Sequence, residues 1–234
     1  MAVTAGPGPS REPELSVLVP AFRRPLALAR CLDHLAAQAG AGAFEVVVVI
    51  DGEEDYAEAD LERRAREFPV PLLWRQGPHR GHAAALNQAL RLARASRVLV
   101  IGDDIFAGPE MVARHVERLR DLGDPRAAVQ GKVVWHPEML PDPFLDWDRR
   151  AGALFGFSAL PGHSFIPPRF LYTCNVSFDR AFLQEAGGFN ESLPRWTDTE
   201  FAYRASRRGL RLYYDPDAWG WHHDRWSVER EGRR

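Results

Sequence analysis

Two adjacent carboxylates, Asp103 and Asp104, follow Gly102 at the end of an apolar run of the sequence. Like charges at this spacing repel each other unless a cation lies between them. Mg²⁺ and Mn²⁺ are hard cations that bind one or two carboxylates and fill their remaining positions with phosphate oxygens and water. The pair therefore has two interpretations: a divalent-metal site, or a solvated turn in which an aspartate caps the following helix.

Two adjacent histidines, His222 and His223, lie near the end of the sequence. If they belong to a strand, their side chains point to opposite faces, so at most one of them can reach an ion held by Asp104. A single histidine is more often a packed or surface residue than a metal ligand. The residue types alone leave open which of the two binds a metal.

A third acidic group occurs in the segment Trp196-Thr-Asp-Thr-Glu, which opens a predicted helix. Thr197 and Glu200 have the spacing of a capping box, in which each side chain satisfies the other's free backbone N–H. This leaves Asp198 without a capping role, at a helix N-terminus where a carboxylate is favoured. We therefore predict that Asp198 is a positioned carboxylate that can serve as a general base.

The elements that must position these groups alternate between short apolar strands and helices. Strands are predicted at 15–20, 44–50, 71–75 and 97–101, and helices at 25–37, 56–68, 82–95 and from 108 to about 122. The second strand contains the four valines Val46–Val49, a pattern expected where both faces of a sheet are covered. The alternation predicts an α/β fold with a mostly parallel central sheet flanked by helices.

Ligands of such sheets bind beyond the carboxyl ends of the strands. Three segments lie at these ends: Pro20-Ala21-Phe22, Asp51-Gly52 and Asp103-Asp104. Gly81 and Asn87 flank the start of the helix that follows the third strand, where small residues let the helix pack close to a ligand or to the sheet. The convergence of these segments predicts a binding site at this edge of the sheet.

The later part of the chain is less regular in its pattern. Residues 135–168 are rich in Pro, Gly, Trp and Phe and show little periodicity, which predicts an irregular, partly mobile region of the kind that is often functional. Regular structure is predicted to resume with a strand at 171–178, helices at 180–186 and 196–208, and a strand at 210–214.

Composition and charge exclude several classes of protein. The 234 residues are 45% hydrophobic and 26% charged, a balance typical of globular domains, and the net charge of −2 gives no reason to expect a nucleic-acid partner. The two cysteines lack CxxC spacing, which argues against a disulfide framework and a structural zinc site and fits a reducing compartment. The longest apolar run, 44–50, is far shorter than the roughly 20 residues of a membrane span, so we expect no transmembrane segment.

Taken in order, these segments resemble the family 2 glycosyltransferases, which have the GT-A fold. The matching segments are Val17-Leu-Val-Pro-Ala-Phe, Val48-Val-Ile-Asp51-Gly, Gly81 through Asn87, Gly102-Asp-Asp, Asn175-Val-Ser-Phe-Asp-Arg, Gly187-Gly-Phe-Asn-Glu, Trp196-Thr-Asp-Thr-Glu and His222. The resemblance implies one GT-A domain at 14–234, with a nucleotide-sugar-binding half at 14–122 and an acceptor-binding and catalytic half at 123–234. Residues 1–13 would form a disordered tail.

The resemblance also implies a role for each matching residue. Asp104 and His222 would bind a divalent metal, Mn²⁺ or Mg²⁺, and Asp103 would contact the ribose or the metal. Asp198 matches the aspartate of the family's Glu-Asp motif, with Thr197 in place of the glutamate, and would deprotonate the acceptor hydroxyl. Asp51 would touch the base. The residues implied in binding the nucleotide sugar are Pro20, Ala21, Phe22, Asp51, Gly81, Asn87 and Asp103.

The implied reaction moves a sugar from a UDP- or GDP-sugar to an acceptor hydroxyl with inversion. The acceptor stays open between a glycan, a lipid-linked and a small-molecule acceptor, and a homodimer is also left open. We expect a cytoplasmic enzyme that is peripheral at a membrane if its acceptor lies there. The aromatic residues of 135–168 suit either stacking on sugar faces or the core of a small subdomain, and we expect this segment to help form the acceptor side.

Other classes of protein share parts of this pattern. A sugar nucleotidyltransferase or a Rossmann dehydrogenase needs a Gly-rich loop directly after the first strand, and Ala21-Phe22-Arg23-Arg24 has no glycine. A non-catalytic sugar-nucleotide-binding module would be expected to lose the acidic pair or Asp198. A retaining transferase of the glycosyl-glycerate synthase type is the principal alternative, because such relatives also have a late metal histidine. In that enzyme Asp198 would not be the base.

Overall fold

A single mixed β-sheet flanked by helices organises the described part of the chain, which comprises residues 4–5, 12–52, 56, 58–152 and 154–224 of the computed structural model. Its strands are β1 (Thr4–Ala5), β2 (Leu15–Ala21), β3 (Phe44–Asp51), β4 (Leu72–Gly77), β5 (Arg97–Ile101), β6 (Ile105–Ala107), β7 (Ala127–Trp135), β8 (Ser164–Ile166), β9 (Asn175–Asp179) and β10 (Arg211–His222). Its α-helices are α1 (Pro25–Ala36), α2 (Glu58–Glu67), α3 (His82–Leu92), α4 (Met111–Leu122), α5 (Pro143–Ala151), α6 (Arg180–Glu185) and α7 (Thr197–Ser206). The strand order is β1-β4-β3-β2-β5-β9-β7-β10-β6, with β8 beside β10.

The parallel part of the sheet comprises β4, β3, β2 and β5. Every residue of β2 and β3 is buried, as expected for strands covered on both faces. Helix α1 begins with Pro25, whose fixed φ suits a first helical turn. Helix α3 follows Gly81, which has a φ of 98° that favours glycine. The predicted α/β fold is confirmed.

A buried charge interrupts the apolar run of β3. Glu45 is fully buried and accepts hydrogen bonds from Ser16 Oγ at 2.6 Å, from Arg94 N at 2.7 Å and from Arg94 Nε at 2.6 Å. A buried carboxylate is strongly unfavourable unless it is paired and hydrogen-bonded, and these donors satisfy both conditions. These hydrogen bonds also connect Arg94, which follows α3, to β2 and β3, whose carboxyl ends form the predicted binding site.

The second half of the sheet is joined to the first by β9, which runs antiparallel to both β5 and β7. Strand β10 is parallel to β7, and its register shifts between Asp215 and Gly220. Its last three residues pair antiparallel with β6, so that His222 lies opposite Ile105. Because β6 follows the acidic pair directly, this pairing brings the late histidine to Asp104.

A polar network holds α4, β9 and β10 together in the core. His115 contacts Ser177 Oγ at 2.8 Å through Nδ1 and Asn175 Oδ1 at 2.9 Å through Nε2. Asn175 Nδ2 donates to the carbonyl of Ala218 at 2.8 Å, inside the shifted region of β10. A Cβ at Gly131 would lie 2.1 Å from that same carbonyl oxygen, so glycine is required there. Asn175, one of the motif residues, therefore has a structural role.

The segment from 135 to 168 is more regular than its sequence predicts, because it contains α5, β8 and short 3₁₀ turns. Asp142 caps α5 by accepting a hydrogen bond from Phe144 N at 2.8 Å, and Pro143 occupies the first turn. An N-cap aspartate followed by proline is a helix-start signal that the weak periodicity concealed. Trp135 Nε1 donates to Asp148 Oδ2 at 2.7 Å, which docks α5 on the sheet.

Other boundaries differ from the predictions in the second half. The strand predicted at 171–178 begins at Asn175, and the strand predicted at 210–214 continues through its irregularity to His222. Strands β6 and β7 were not predicted. The tail predicted at 1–13 lies mostly outside the described residues, although Thr4–Ala5 pairs with β4. Among the residues that the structure describes, no helix is long and apolar enough to cross a membrane.

Candidate functional site

A cleft of about 1320 Å³ lies at the carboxyl ends of the parallel strands, where open α/β sheets bind their ligands. It exceeds the roughly 300–1,000 Å³ of common small-molecule pockets, so it has room for two ligands side by side. Its walls come from the ends of β2 and β3, the turn before α3, and the loop that leads into α7. The lining residues are Pro20–Arg24, Asp51, His79–His82, Ala85, Asp104, Thr173, Glu191–Asp198 and Asp224.

The cleft collects most of the residues that the sequence pattern selected. Those that line it are Pro20, Ala21, Phe22, Asp51, Gly81, Asp104 and Asp198. The remaining three contact lining residues from behind. Asp103 does so through Arg24, Asn87 through Glu191, and His222 through Asp104.

Three carboxylates converge on one guanidinium at the acidic end of the cleft. Arg24 Nη2 lies 2.6 Å from Asp103 Oδ1, while Arg24 Nη1 contacts Asp104 Oδ2 and lies 3.5 Å from Asp224 Oδ2. Asp103 and Asp104 are both buried, so they would repel each other strongly without a cation between them. In this structure Arg24 supplies that positive charge.

The turn that presents the acidic pair is built around Gly102. Ile105 N donates to the carbonyl of Gly102 at 3.1 Å, and the chain then enters β6. A Cβ at position 102 would lie 2.5 Å from Asp104 Oδ1, so any side chain there would displace the carboxylate. Phe22 N donates to Asp103 Oδ2 at 3.3 Å and thereby ties the turn to the end of β2.

The donor atoms at this turn fit a divalent cation. His222 Nε2 lies 3.3 Å from Asp104 Oδ2, close to the spacing of about 3 Å between neighbouring ligands around an octahedral ion with bonds of about 2.1 Å. A carboxylate and an imidazole leave several positions for phosphate oxygens and water. Mg²⁺ is bound mainly by oxygen ligands, so the histidine is the less usual donor for that ion.

Burial and neighbouring charges separate the pKa values of the two aspartates. Burial raises the pKa of Asp103, and Arg24 opposes that shift. Burial also acts to raise the pKa of Asp104, but His222 and Arg24 outweigh it and hold this pKa below its usual range. Asp104 therefore stays ionised at neutral pH, as a metal ligand must.

The two late histidines reach different surroundings. His222 contacts Asp104, and its ring packs against Trp135 with centroids 4.7 Å apart. His223 Nε2 instead lies 3.0 Å from Glu138 Oε2, away from the acidic pair. His222 is thus the histidine whose side chain lies beside the acidic pair, and its role as a metal ligand stays a prediction.

Asp51 fixes the turn that forms the wall between β3 and α3. Its carboxylate accepts hydrogen bonds from Arg80 N at 2.6 Å and Gly81 N at 2.8 Å, and His79 Nδ1 lies 2.8 Å away. The His79 ring stacks on Phe22 with centroids 4.2 Å apart, which gives the wall an aromatic surface. Asp51 acts here as an anchor of the turn, and its contact with a nucleotide base stays a prediction.

The N-terminus of α7 carries Asp198 into the cleft, but the predicted capping box is wrong. Trp196 is the N-cap residue, with a left-handed φ of 63°, so Thr197 becomes the first residue of the helix and is buried. Its hydroxyl is therefore not at the capping position. Glu200 instead accepts a hydrogen bond from Arg204 Nε at 2.8 Å, one turn along the helix.

The general-base candidate and the acidic pair surround the same space. His82 lines the cleft but is exposed to solvent. Partial desolvation lowers the pKa of its imidazole, and the carboxylates of Asp198 and Asp104 act in the opposite direction. The same two carboxylates add to the effect of burial in raising the pKa of the Cys174 thiol. Asp198 and Asp104 therefore act on common neighbours.

Asn87 joins α3 to the loop that closes one side of the cleft. Its Nδ2 donates to the carbonyl of Phe189 at 2.8 Å and to Glu191 Oε1 at 2.9 Å, and its Oδ1 accepts from Phe189 N at 2.9 Å. A Cβ at Gly188 would lie 2.6 Å from that oxygen. Asn87 therefore shapes the cleft by holding this loop, and a direct contact with the nucleotide sugar stays a prediction.

Several residues of the site were missed by the sequence analysis, among them Arg24, His79, His82, Trp196 and Asp224. Arg24 lies three residues after the end of β2, which is a predicted ligand edge, while His79 and His82 lie beside or within the segment from Gly81 to Asn87. The closeness of these residues to segments already predicted to bind a ligand is a signal that the sequence offers. The exposure and backbone strain of Trp196 and the approach of Asp224 to Arg24 emerge only from the folded chain.

Comparison with known sequences identifies the family. The profile of glycosyl transferase family 2 matches residues 16–185. Validoxylamine A glucosyltransferase of Streptomyces hygroscopicus subsp. limoneus is 27% identical over 235 aligned positions, which cover 90% of this chain and 52% of that protein. Hyaluronan synthase of Pasteurella multocida is 24% identical over 83% of this chain and 23% of that protein. The chain thus spans about half the length of the Streptomyces relative.

Solved structures agree in fold. Mannosyltransferase PcManGT from Pyrobaculum calidifontis, solved with GDP-Man and Mn²⁺, has a TM-score of 0.70 and 24% identity, covering 100% of this chain and 63% of that one. S. aureus TarS, solved with UDP-GlcNAc, has a TM-score of 0.71 and 19% identity, covering 92% of this chain and 59% of that one. At these identities the similarity shows the GT-A fold alone. Because the family profile also covers most of the chain, the chain belongs to glycosyl transferase family 2.

Proposed function

We propose that the chain moves a sugar from a UDP- or GDP-sugar to an acceptor hydroxyl, with inversion and with the help of a divalent metal. The observation that carries the proposal is the single cleft lined by Asp51, Asp104 and Asp198, one carboxylate on each of three elements. Family membership favours glycosyl transfer. The nucleotide sugars bound by PcManGT and TarS favour a donor of the same class.

The donor's nucleoside fits the wall formed by the end of β2 and the turn before α3. The stacked rings of Phe22 and His79 offer a flat aromatic surface to a base, while Pro20 and Ala21 give this wall an apolar character. Asp51 holds the turn in place through the backbone of Arg80 and Gly81. Asp103, behind this wall, would contact the ribose or the metal.

The diphosphate belongs at the acidic end of the cleft. A divalent cation bound there by Asp104 and His222 would neutralise negative charge that develops on the departing nucleotide. Arg24 now occupies this position and must turn away from Asp104 when the cation binds. Its guanidinium would then be free to pair with phosphate oxygens, which it can bind through two parallel hydrogen bonds.

Asp198 would take the proton from the acceptor hydroxyl. An inverting transfer requires the acceptor oxygen to attack from the side opposite the leaving diphosphate, with a base beside it. Asp198 is half-buried at the cleft wall, and its only hydrogen bond among the described residues is the one that its Oδ1 accepts from Thr199 N at 2.8 Å. One of its oxygens therefore remains available for the acceptor.

The proposal is tested by thermal melts of the protein with UDP-, GDP- and dTDP-sugars, each with Mn²⁺ and with EDTA. A donor at a hundred times its Kd adds about 2.7 kcal/mol to the free energy of unfolding, so binding is easily detected. We expect one donor class to stabilise the protein only with Mn²⁺, and Asp104→Asn to abolish this effect. Asp60→Asn, at an exposed helix position, is the matched control and should behave as wild type.

Three outcomes separate the alternatives. Full transfer activity in EDTA would refute the metal assignment. Donor binding without hydrolysis or transfer to any acceptor would favour a non-catalytic sugar-nucleotide-binding module. NMR of the product decides the mechanism, since an anomeric configuration retained from the donor would replace the inverting reaction with that of the glycosyl-glycerate synthase type.

A further inference from the structure

A second group of metal-binding side chains lies on the side of the β10 terminus that faces away from the acidic pair. It consists of His136 and Glu138, just after β7, and His223, just after β10. One ligand atom of each residue lies within 4.8 Å of the others. Neither the resemblance to family 2 nor the proposed transfer reaction assigns any role to this group.

The distances within the group match tetrahedral coordination. His223 Nε2 lies 3.0 Å and His136 Nδ1 3.7 Å from the same oxygen, Glu138 Oε2. A Zn²⁺ ion with bonds of about 2.0–2.1 Å places neighbouring ligand atoms about 3.3 Å apart. The two distances bracket this value. To bind the ion through Nδ1, His136 must give up the hydrogen bond that this atom accepts from Glu138 N at 3.3 Å.

A protein cation, Arg30, already lies against two members of the group. Arg30 Nη1 lies 3.1 Å from Glu138 Oε2 and 3.1 Å from His223 Nε2. A metal ion here would displace the Arg30 guanidinium, and His223 Nε2, which also lies 3.0 Å from Glu138 Oε2, would have to present its lone pair to that ion. The guanidinium also stacks on Phe106 at 4.6 Å, a contact that can hold it after it leaves this position.

The imidazoles are held in place by packing. The ring of His136 makes edge contacts with Phe106, Trp221 and His223 at centroid distances of 5.3–5.7 Å. The backbone N of His136 donates to the carbonyl of His222 at 2.9 Å, which joins the ends of β7 and β10. Both imidazoles are largely buried, with 15% and 22% exposure, while Glu138 opens the site to solvent at 57%.

We propose that His136, Glu138 and His223 form a Zn²⁺ site that is separate from the site at Asp104, with water as the fourth ligand. Two imidazoles and one carboxylate are donors that suit Zn²⁺. A metal here would lock the end of β10 against the turn after β7. Since His222 directly precedes His223, the same ion would steady the histidine beside the acidic pair.

The test uses Zn²⁺ alone, added to EDTA-treated and dialysed protein. Asp104→Asn serves as the background, because it weakens the other metal site. Bound zinc is counted by inductively coupled plasma mass spectrometry, its affinity is measured by competition with a chromophoric chelator, and Co²⁺ replaces it to give a tetrahedral absorption spectrum. We expect one Zn²⁺ per chain in this background. No donor or acceptor is present, so the result does not depend on the proposed reaction.

Variants of the ligands then locate the ion. Glu138→Gln, at an exposed position that should not disturb folding, is expected to weaken Zn²⁺ affinity at least tenfold. This is the lower end of the loss seen when only a hydrogen-bond partner of a ligand is removed. His223→Ala and His136→Ala should weaken it further and remove the Co²⁺ spectrum. His163→Ala is the control, because His163 belongs to another histidine–aspartate group, with Asp215 and Asp217.

Two results would overturn the proposal. One is the absence of bound Zn²⁺ in the Asp104→Asn background. The other is zinc binding that persists unchanged in Glu138→Gln and His223→Ala, or that disappears in His163→Ala instead. Thermal melts in EDTA accompany each variant, so that a loss of binding caused by unfolding is recognised and the Glu138→Gln result decides.

Discussion

Arg24 and Asp103 meet at the acidic end of the cleft, with Nη2 of the arginine 2.6 Å from Oδ1 of the aspartate. The same guanidinium contacts Asp104 and approaches Asp224. Buried carboxylates lower the stability of a fold unless they are paired. Arg24 therefore stabilises the site in the absence of metal, and it does so from the position that the metal would take.

This relationship predicts the behaviour of Arg24→Met, which keeps an apolar stem and removes the charge. Without a counter-charge the carboxylates should destabilise the metal-free protein, and Mn²⁺ should bind more tightly because it no longer displaces a guanidinium. We expect a lower Tm than wild type in EDTA and recovery of most of the loss in Mn²⁺. Electron paramagnetic resonance of free Mn²⁺ gives the affinity. An equal loss of Tm with and without Mn²⁺ would contradict this account.

Gly102→Ala is predicted to disable the acidic pair without breaking the fold. The new Cβ would lie 2.5 Å from Asp104 Oδ1, so the carboxylate must move away from His222. The apparent affinity for the donor, measured from its metal-dependent stabilisation of the protein, should fall at least tenfold. Gly77→Ala, whose Cβ meets nothing within 4 Å at the end of β4, is the matched control. Equal donor affinity in Gly102→Ala and Gly77→Ala would show that donor binding does not depend on the present position of the Asp104 carboxylate.

Asp198→Asn is predicted to separate chemistry from binding. Asparagine keeps the shape of the side chain but cannot accept the acceptor's proton, so turnover should fall by about 10²-fold or more while donor and Mn²⁺ affinities stay unchanged. Glu200→Gln, on the same helix, loses the charge paired with Arg204 and should alter stability slightly and turnover little. Comparable turnover in both variants would remove Asp198 from the role of base.

Trp196 is predicted to hold the acceptor. Its indole is 75% exposed at the cleft, and its left-handed backbone is strained for a bulky residue, a condition that tends to occur at ligand sites. Trp196→Ala should lower transfer relative to donor hydrolysis, because stacking on a sugar face is lost. Tyr203→Ala removes an aromatic ring that is 65% exposed on the same helix outside the cleft. A similar transfer-to-hydrolysis ratio in both variants would refute this role.

The core histidine predicts how stability depends on pH. Burial lowers the pKa of His115 to about 4, whereas an unfolded histidine has a pKa of about 6.5. Between these pH values the unfolded state binds a proton at this histidine and the folded state does not. The free energy of unfolding therefore falls as pH decreases from about 6.5 to about 4. The difference corresponds to roughly 3 kcal/mol.

Chemical denaturation from pH 4 to pH 8 measures this dependence. His115→Gln should be less stable than wild type at neutral pH, because it cannot bridge Ser177 and Asn175 in the same way, but its stability should decline less toward acid. His163→Gln, an exposed histidine, should keep the wild-type slope. If His115→Gln declines as steeply as wild type, protonation of His115 is not the cause.

The first half of the fold could be predicted from sequence because its signals are local. The valines of β3, Pro25 at the start of α1 and the alternation of strands and helices each depend on neighbouring residues. The capping box failed for a physical reason: the positive φ of Trp196 moves Thr197 one position into the helix, and sequence spacing does not reveal that conformation. Asn175 was recognised as a motif residue, but its structural role depends on His115, Ser177 and Ala218, which are distant in sequence.

The acidic pair and Asp198 could be selected from sequence because carboxylates at strand ends and helix starts carry a recognisable chemistry. Arg24 could not be selected by its residue type, since its function depends on the acidic pair and on Asp224, which are all distant from it in sequence. The second histidine group is missed for the same reason. His136 and His223 are far apart in sequence, and only the parallel pairing of β7 with β10 brings them together.

The shifted register of β10 between Asp215 and Gly220 also determines to which face of the sheet each later side chain of the strand points. Successive residues of a strand face opposite sides, so a shift of one residue in the pairing after Gly220 would exchange the directions of His222 and His223. His223 would then point toward the acidic pair, and Glu138 would lose its contact with His223. The pairing of Gly220 with Val133 therefore decides which histidine meets the acidic pair. Related chains that keep both histidine contacts should keep this pairing, whatever the length of the irregular stretch before it, because a bulge absorbs extra residues.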